Sequence, residues 1–184
     1  MELIVKDHMV SVNRFAKISD TATFSGAVMA LECAHDDYLA GKREQEILLV
    51  TDGEGRVMGK LSPNDMLRAL TSALANVSGG AFRGVYMVDA LAVEDMASKG
   101  VHWTYPLEEN CERVKDHQIQ HFISLPDDTE IIGPEENLNT ALHRFSNYNH
   151  EILFVMESHI ILGIIRFSDI FKIVAKITKS LCRI

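Results

Sequence analysis

A two-lobed α/β (α+β) fold built by internal duplication is what this sequence predicts, and three observations predict it. The run Glu46-Ile47-Leu48-Leu49-Val50 returns as Glu151-Ile152-Leu153-Phe154-Val155. Downstream of each copy a glycine is followed at the same remove by an aspartate, as Gly59 to Asp65 (GKLSPND) and as Gly163 to Asp169 (GIIRFSD). Upstream, Val5-Lys6-Asp7-His8 recurs as Val114-Lys115-Asp116-His117. Blocks matched in one order at nearly one spacing mark repetition of a small unit. Units of ~60–70 residues bury little surface alone, so the pair is expected to share a core or to dimerise.

Each element follows from local chemistry. Residues 5–9 are short and amphipathic, and Phe15-Ala16-Lys17-Ile18 reads as a brief strand entering the turn Ser19-Asp20-Thr21. Thr23 offers an N-cap hydroxyl to a helix over about residues 24–41, with Ala27, Val28, Met29 and Leu31 as its apolar face. Residues 47–50 form a buried strand, Asp52-Gly53 is a turn signal, and 57–61 return as a hairpin arm. Ser62-Pro63-Asn64-Asp65 then opens a helix to about residue 77. The order is strand, helix, strand, strand, helix. The second copy repeats it with a strand at 130–132, a helix over 137–147, a hairpin of 152–156 and 160–165, and a helix over 168–178. Its turn, Glu157-Ser158-His159, is one residue shorter, which accounts for the small change in spacing.

Between the copies, Ser78-Gly79-Gly80 reads as a hinge, and helices over 85–99 and 107–114 are split by Gly100 and Trp103-Thr104-Tyr105-Pro106. Tyr86, Met87, Val88, Leu91, Val93 and Met96 are too apolar for a solvated linker, so the bridge is expected to pack on the lobes or on a partner chain. The expected divisions are a first motif at 1–78, a helical bridge at 79–113 and a second motif at 114–184.

Composition narrows the function classes. The chain has 184 residues, 47% of them hydrophobic, and a formal charge of −8 with no long basic cluster. Nucleic acid is therefore not an expected partner, because phosphate-backbone affinity needs clustered Lys and Arg. No apolar run reaches the ~18–20 residues of a spanning helix, and MELIVKDHM lacks a signal peptide's character, so no membrane role and a cytoplasmic location are expected. Cys33, Cys111 and Cys182 are odd in number and far apart, which reads as reduced thiols.

The tandem of strand, helix, strand, strand, helix units, each closing on a Gly-to-Asp block at a strand-to-helix junction, resembles the CBS domain pair, or Bateman module. The first copy shows Ile18, Ala27, ILLV and GKLSPND, and the second shows Ile132, Ala141, ILFV and GIIRFSD. The resemblance implies lobes in pseudo-twofold relation, with the helical insert as a departure. It also implies clefts for an adenosine-containing small molecule: an adenine nucleotide (AMP, ADP or ATP) or S-adenosylmethionine. It assigns Ser62 to the ligand phosphate, Asp65 and Asp169 to ribose hydroxyls, and Ile18 and Ile132 to the flanks of the base. Arg166 stands where the second hydroxyl residue belongs, a departure from the family's pattern.

The residue chemistry allows these roles and bland ones alike. An ionised Asp suits two ribose hydroxyls, and a helix start presents free N–H groups and a dipole to a phosphate. Ile47 would join Ile18 in an apolar slot, and Lys60 would approach the phosphate or remain solvated. Yet Ser62-Pro63-Asn64-Asp65 is equally a capping sequence, and Ser168 would cap the second helix. Arg166 would either clamp a phosphate bidentately or pair with Asp169 or Glu157 and fill the cleft.

The histidines lack metal-ligand spacing, so no metal is expected. Catalysis is not expected either, since Cys111 and His117 share no useful helical spacing and no nucleophile elbow, P-loop or dinucleotide fingerprint occurs. Asp52, Asp127 and Asp128 read as turn acids. The expectation is a stand-alone regulatory module, a homodimer signalling nucleotide occupancy to a client protein. The alternatives are a ligand-free dimerisation or interaction module and a small nucleotide hydrolase.

Overall fold

A computed structural model describes residues 3–75, 106–123, 125–148 and 150–182. In chain order the strands are β1 (Val10–Ser11), β2 (Lys17–Ser19), β3 (Leu48–Thr51), β4 (Val57–Leu61), β5 (Ile131–Ile132), β6 (Ile152–Glu157) and β7 (Ile160–Arg166). The helices are α1 (Phe24–Leu39), α2 (Pro63–Ala75), α3 (Leu107–Val114), α4 (Leu138–Tyr148) and α5 (Phe167–Cys182). The expected 85–99 helix and the Ser78-Gly79-Gly80 hinge lie outside the described residues. The chain divides into compact units, one of Ala16–Gly53 with Gly59–Ser124 and the other of Met1–Phe15, Glu54–Met58 and Leu125–Ile184.

The first unit is built on the sheet β2-β3-β4, with β2 parallel to β3 and Ile18 opposite Val50. Thr23, in extended backbone, starts α1 by accepting a 3.2 Å hydrogen bond from the Gly26 N–H on its Oγ1. That satisfies one of the orphan donors of the first turn. The helix then buries Phe24, Ala27, Leu31 and Ala34 against Leu48, Val50, Leu61, Met66 and Ala69. Val28 and Met29, expected on this face, are 41% and 70% exposed. The three- and four-residue stride from Phe24 sets the buried stripe and turns both outward.

The second unit is built on the sheet β1-β7-β6-β5. Here β5 runs parallel to β6 with Ile132 opposite Val155, β6 and β7 form an antiparallel hairpin, and β1 pairs antiparallel with β7. The hairpin turns through Ser158 and His159, at φ of 49° and 67°. Such left-handed pairs match the twist of the flanking strands. The core consists of Val5, Ile132, Leu138, Ala141, Phe145, Leu153, Val155, Ile165 and Ile170.

The segment leading into each repeat packs in the unit of the other. In the second unit, Val5 N–H donates to Glu136 O at 2.9 Å, Lys6 N–H to Pro134 O at 2.9 Å, and Leu138 N–H to Leu3 O at 2.9 Å. In the first, Ile119 N–H donates to Ala22 O at 2.8 Å, Gln120 N–H to Asp20 O at 2.9 Å, and Phe24 N–H to His117 O at 2.8 Å. Both leaders wind into a short 3-10 turn, Val5–Asp7 and Ile119–His121, whose first residue is fully buried. Val5 therefore corresponds to Ile119.

This corrects one of the sequence matches. The second VKDH covers the end of α3 and the turn after it, ahead of the residues equivalent to the first VKDH. The identity of letters is a coincidence; the repeated feature is an apolar anchor and a backbone ladder.

Candidate functional site

Each unit brings a strand to an end at the start of a helix, and an aspartate lies in that helix's first turn. At the β4–α2 junction, Asp65 Oδ2 accepts from the Ser62 backbone N–H at 2.8 Å and from the Ser62 hydroxyl at 2.6 Å. Ser62 Oγ in turn accepts from the Asp65 N–H at 3.3 Å. This is the reciprocal capping arrangement, with Pro63 at the first helical position where a missing N–H costs nothing. Asp65 is only 7% exposed, and its Oδ1 faces Arg68 Nη1 at 3.9 Å, outside hydrogen-bond range. A carboxylate offers about four lone-pair sites, so the cap leaves acceptor capacity on Oδ1.

At the β7–α5 junction the chemistry differs. Arg166 is 6% exposed, and its Nη2 donates to Asp169 Oδ1 at 2.7 Å while its Nε donates to Asp169 Oδ2. Lys172 Nζ adds a cation 3.7 Å from Asp169 Oδ1. Of the partners open to Arg166 in the sequence, Asp169 is therefore the one engaged. The hairpin register explains why Glu157 is not: Arg166 lies opposite Ile152 at one end, and Glu157 opposite Ile160 at the turn. Helix α5 begins at Phe167, whose N–H donates to Glu151 O at 2.9 Å, so Ser168 falls inside the first turn instead of preceding it.

The remaining candidates occupy matched places. Ile18 and Ile132 sit on β2 and β5, the strands that precede α1 and α4, opposite Val50 and Val155. They differ in burial, since Ile132 is 1% exposed in its core while Ile18 is partly buried at the edge of the other. Ile47 is half-buried just ahead of β3, and Lys60 is half-buried in β4. The structure thus joins Ser62 to Asp65 and Arg166 to Asp169. A described cavity of ~260 Å³ in the second unit lies between α4 and α5, and none of the candidate residues lines it.

A polar cluster that sequence reasoning treated only as turn acids lies at the entry to β5 and β6. Asp127 Oδ1 accepts from the Thr129 N–H at 2.7 Å and the Thr129 hydroxyl at 2.6 Å, and Thr129 Oγ1 is 2.8 Å from His150 Nε2. The hydroxyl has one proton and gives it to Asp127, so His150 must donate from Nε2. The Thr129 hydrogen bond, chiefly, holds the Asp127 carboxyl below its ordinary value; burial opposes this, while the N–H groups of Thr129 and Glu130 and the charge of His150 support it. Only the Asp-x-Thr spacing signals the cluster in the sequence. Among the described residues, no group of three or more His, Cys, Asp or Glu is placed to hold a metal ion. No helix among them is long and apolar enough to cross a membrane.

Comparison with known proteins agrees with this duplicated architecture. Residues 114–176 match the family model of the CBS domain. No curated protein sequence matches the chain. Among solved structures, a hypothetical conserved protein of Geobacillus kaustophilus superposes with a TM-score of 0.58 at 14% identity, covering 96% of this chain and 98% of its own. A CBS domain-containing protein of Bacillus anthracis gives 0.54 at 16% identity, with 95% and 94% covered. A structure of CBSX2 in complex with AMP gives 0.53 at 14% identity, with 96% and 98% covered. The second repeat is thus similar to a CBS domain, and the chain as a whole has the fold of CBS domain-containing proteins.

Proposed function

We propose that this chain is a non-catalytic regulatory module that binds an adenine nucleotide or S-adenosylmethionine and passes occupancy to a client protein. The observation that carries this reading is the recurrence, in both units, of an aspartate in the first turn of the helix after the hairpin, alongside an isoleucine at one strand register. The likeness to a fold solved with AMP in CBSX2 supports the ligand class. In this reading Asp65 and Asp169 accept from ribose hydroxyls, Ser62 and the α2 N-terminus face the phosphate with Lys60 nearby, and Ile18, Ile47 and Ile132 flank the base. Arg166 would exchange part of its contact with Asp169 for a phosphate. Self-association of the chain, a cytoplasmic location and a separate client belong to the same proposal. Ligand shifts the population of arrangements only by its preference among them.

The ligand-free scaffold is a second reading, favoured by the closure of Arg166 on Asp169 and of Asp65 on Ser62. Titration calorimetry and melting with AMP, ADP, ATP and S-adenosylmethionine separate the two. A ligand at 100 times its Kd raises stability by about 2.7 kcal/mol. Asp65→Ala is expected to abolish that rise. Ser62→Ala, which removes the cap hydroxyl, is expected to cost about 0.5–2 kcal/mol while weakening binding less. No heat and no melting shift with any of the four ligands would leave the scaffold reading standing.

A further inference from the structure

The two strand-to-helix junctions differ at one buried position. Ser62 and Arg166 stand three residues ahead of Asp65 and Asp169, and each aspartate faces an exposed cation one turn on, Arg68 at 3.9 Å and Lys172 at 3.7 Å. Those cations match, so the contrast lies between a hydroxyl and a guanidinium. Ser62 engages Oδ2 of Asp65, and the other oxygen keeps acceptor capacity. Arg166 takes both oxygens of Asp169, with Nη2 on Oδ1 at 2.7 Å and Nε on Oδ2. Both partners of that fork are held away from water, their side chains 7% and 17% exposed. Their backbone is fixed as well: Arg166 lies opposite Ile152 in the hairpin, Phe167 N–H donates to Glu151 O, and Ile170 is buried one residue beyond Asp169. The fork can therefore open by side-chain rotation alone.

That fork decides what the second junction can admit. A ribose needs acceptor oxygens from Asp169, and Arg166 must release one before a hydroxyl takes its place. A neutral hydroxyl gives the guanidinium nothing in return, and a buried cation without a counter-ion is strongly unfavourable. A phosphate on the same molecule does replace the lost partner, since a guanidinium clamps phosphate as it clamps carboxylate, through two parallel N–H···O bonds. In S-adenosylmethionine a sulfonium cation is attached to the carbon that bears phosphate in AMP, so charge there repels Arg166 where phosphate attracts it. We propose that Arg166 makes the second junction phosphate-selective: it excludes adenosine and S-adenosylmethionine and exchanges Asp169 for the phosphate of AMP, ADP or ATP, while Ser62 leaves the first junction open to all of them. The inference rests on the nucleotide reading above and narrows it for one of the two junctions. Because only the opened fork is competent, apparent affinity is reduced there, and the second junction fills after the first.

NMR of the isotope-labelled chain reads the two junctions apart, through the Ser62 and Asp65 amides at one and the Ile170 amide and Arg166 Nε–H at the other. Adenosine and S-adenosylmethionine should move only the first set. AMP and ATP should move both, the second set at the higher midpoint, with AMP preferred over adenosine there by about 100-fold or more. Arg166→Ser, which puts a hydroxyl at the second junction, should reduce that preference to about tenfold or less. If Arg166→Ser does not fold, Asp169→Asn serves instead: it removes the counter-ion, and inorganic phosphate should then move Arg166 Nε–H at a concentration about tenfold or more below that needed in the parent. Adenosine that moves the second set as readily as AMP overturns the proposal. So does a second set that no ligand moves while the first responds, or a preference for AMP that survives Arg166→Ser unchanged. If no ligand moves either set, the nucleotide reading itself fails and takes this inference with it, an outcome distinct from the other three.

Discussion

Asp127 shows how a single carboxylate is held by its neighbours. It accepts from a hydroxyl and from the backbone N–H groups of Thr129 and Glu130, the latter at 3.2 Å, and these favour its ionised form. A carboxyl held below its unfolded value stabilises the fold fully above the ordinary carboxylate range, near pH 4, and loses that contribution as pH falls through the depressed value. Unfolding free energy should therefore separate the parent from Asp127→Asn at neutral pH, and the gap should close as the solution is taken below about pH 4. A gap constant with pH would mean that the charge contributes nothing. At this scale the sequence was legible where chemistry is local: Thr23 caps α1, and Ser62 and Asp65 cap each other, because both partners lie within one turn. The partner of Arg166 was not, because the choice between Asp169 and Glu157 depends on a hairpin register that no short spacing encodes.

Elements built on hydrophobic runs and turn chemistry were read closely. The strand at Val57–Leu61 and the helix at Leu107–Val114 fall where periodicity and punctuation place them. The strand β1 was missed, since two residues have no period, and its existence depends on a partner far along the chain. Gly163 is the trace that β1 leaves in the sequence. A Cβ on Gly163 would come 2.8 Å from the carbonyl oxygen of Val10 and 2.9 Å from Met9 Sδ. The methionine can move aside, but the backbone oxygen cannot without breaking the β1–β7 pairing. Gly163→Ala should accordingly destabilise the chain by about 1–3 kcal/mol, the range for overpacking a filled site. Denaturant unfolding measures this, with Gly53→Ala as a control, because a Cβ there meets nothing within 4 Å. Equal effects at the two glycines would remove the close approach of β1 as the reason for glycine in the motif.

Across the whole molecule, duplication and packing follow different boundaries. By sequence the repeats are expected to divide at the bridge, yet Met1–Phe15 belongs to the unit that holds Leu125–Ile184, and residues 107–123 belong to the unit that holds Ala16–Gly53. Sequence periodicity reports ancestry of segments and is silent on which core a leader enters. VKDH misled for that reason, and the buried anchors Val5 and Ile119 share no letters around them. The exchange makes a directional prediction. Val5 is fully buried among Ile132, Leu138, Leu153 and Ile165, so Val5→Ala removes apolar volume from the second repeat's core although it lies at the other end of the chain. The lost methyl groups and the cavity together should cost about 2 kcal/mol. In native-state hydrogen exchange, amides of β5, β6 and β7 should lose protection in Val5→Ala, while those of β2 and β3 change less. Ile119→Ala should produce the converse, because Ile119 is buried with Phe24, Leu31 and Val50. If Val5→Ala instead loosened β2 and β3 first, the leader would belong to its own repeat in solution, and the exchanged arrangement would be wrong.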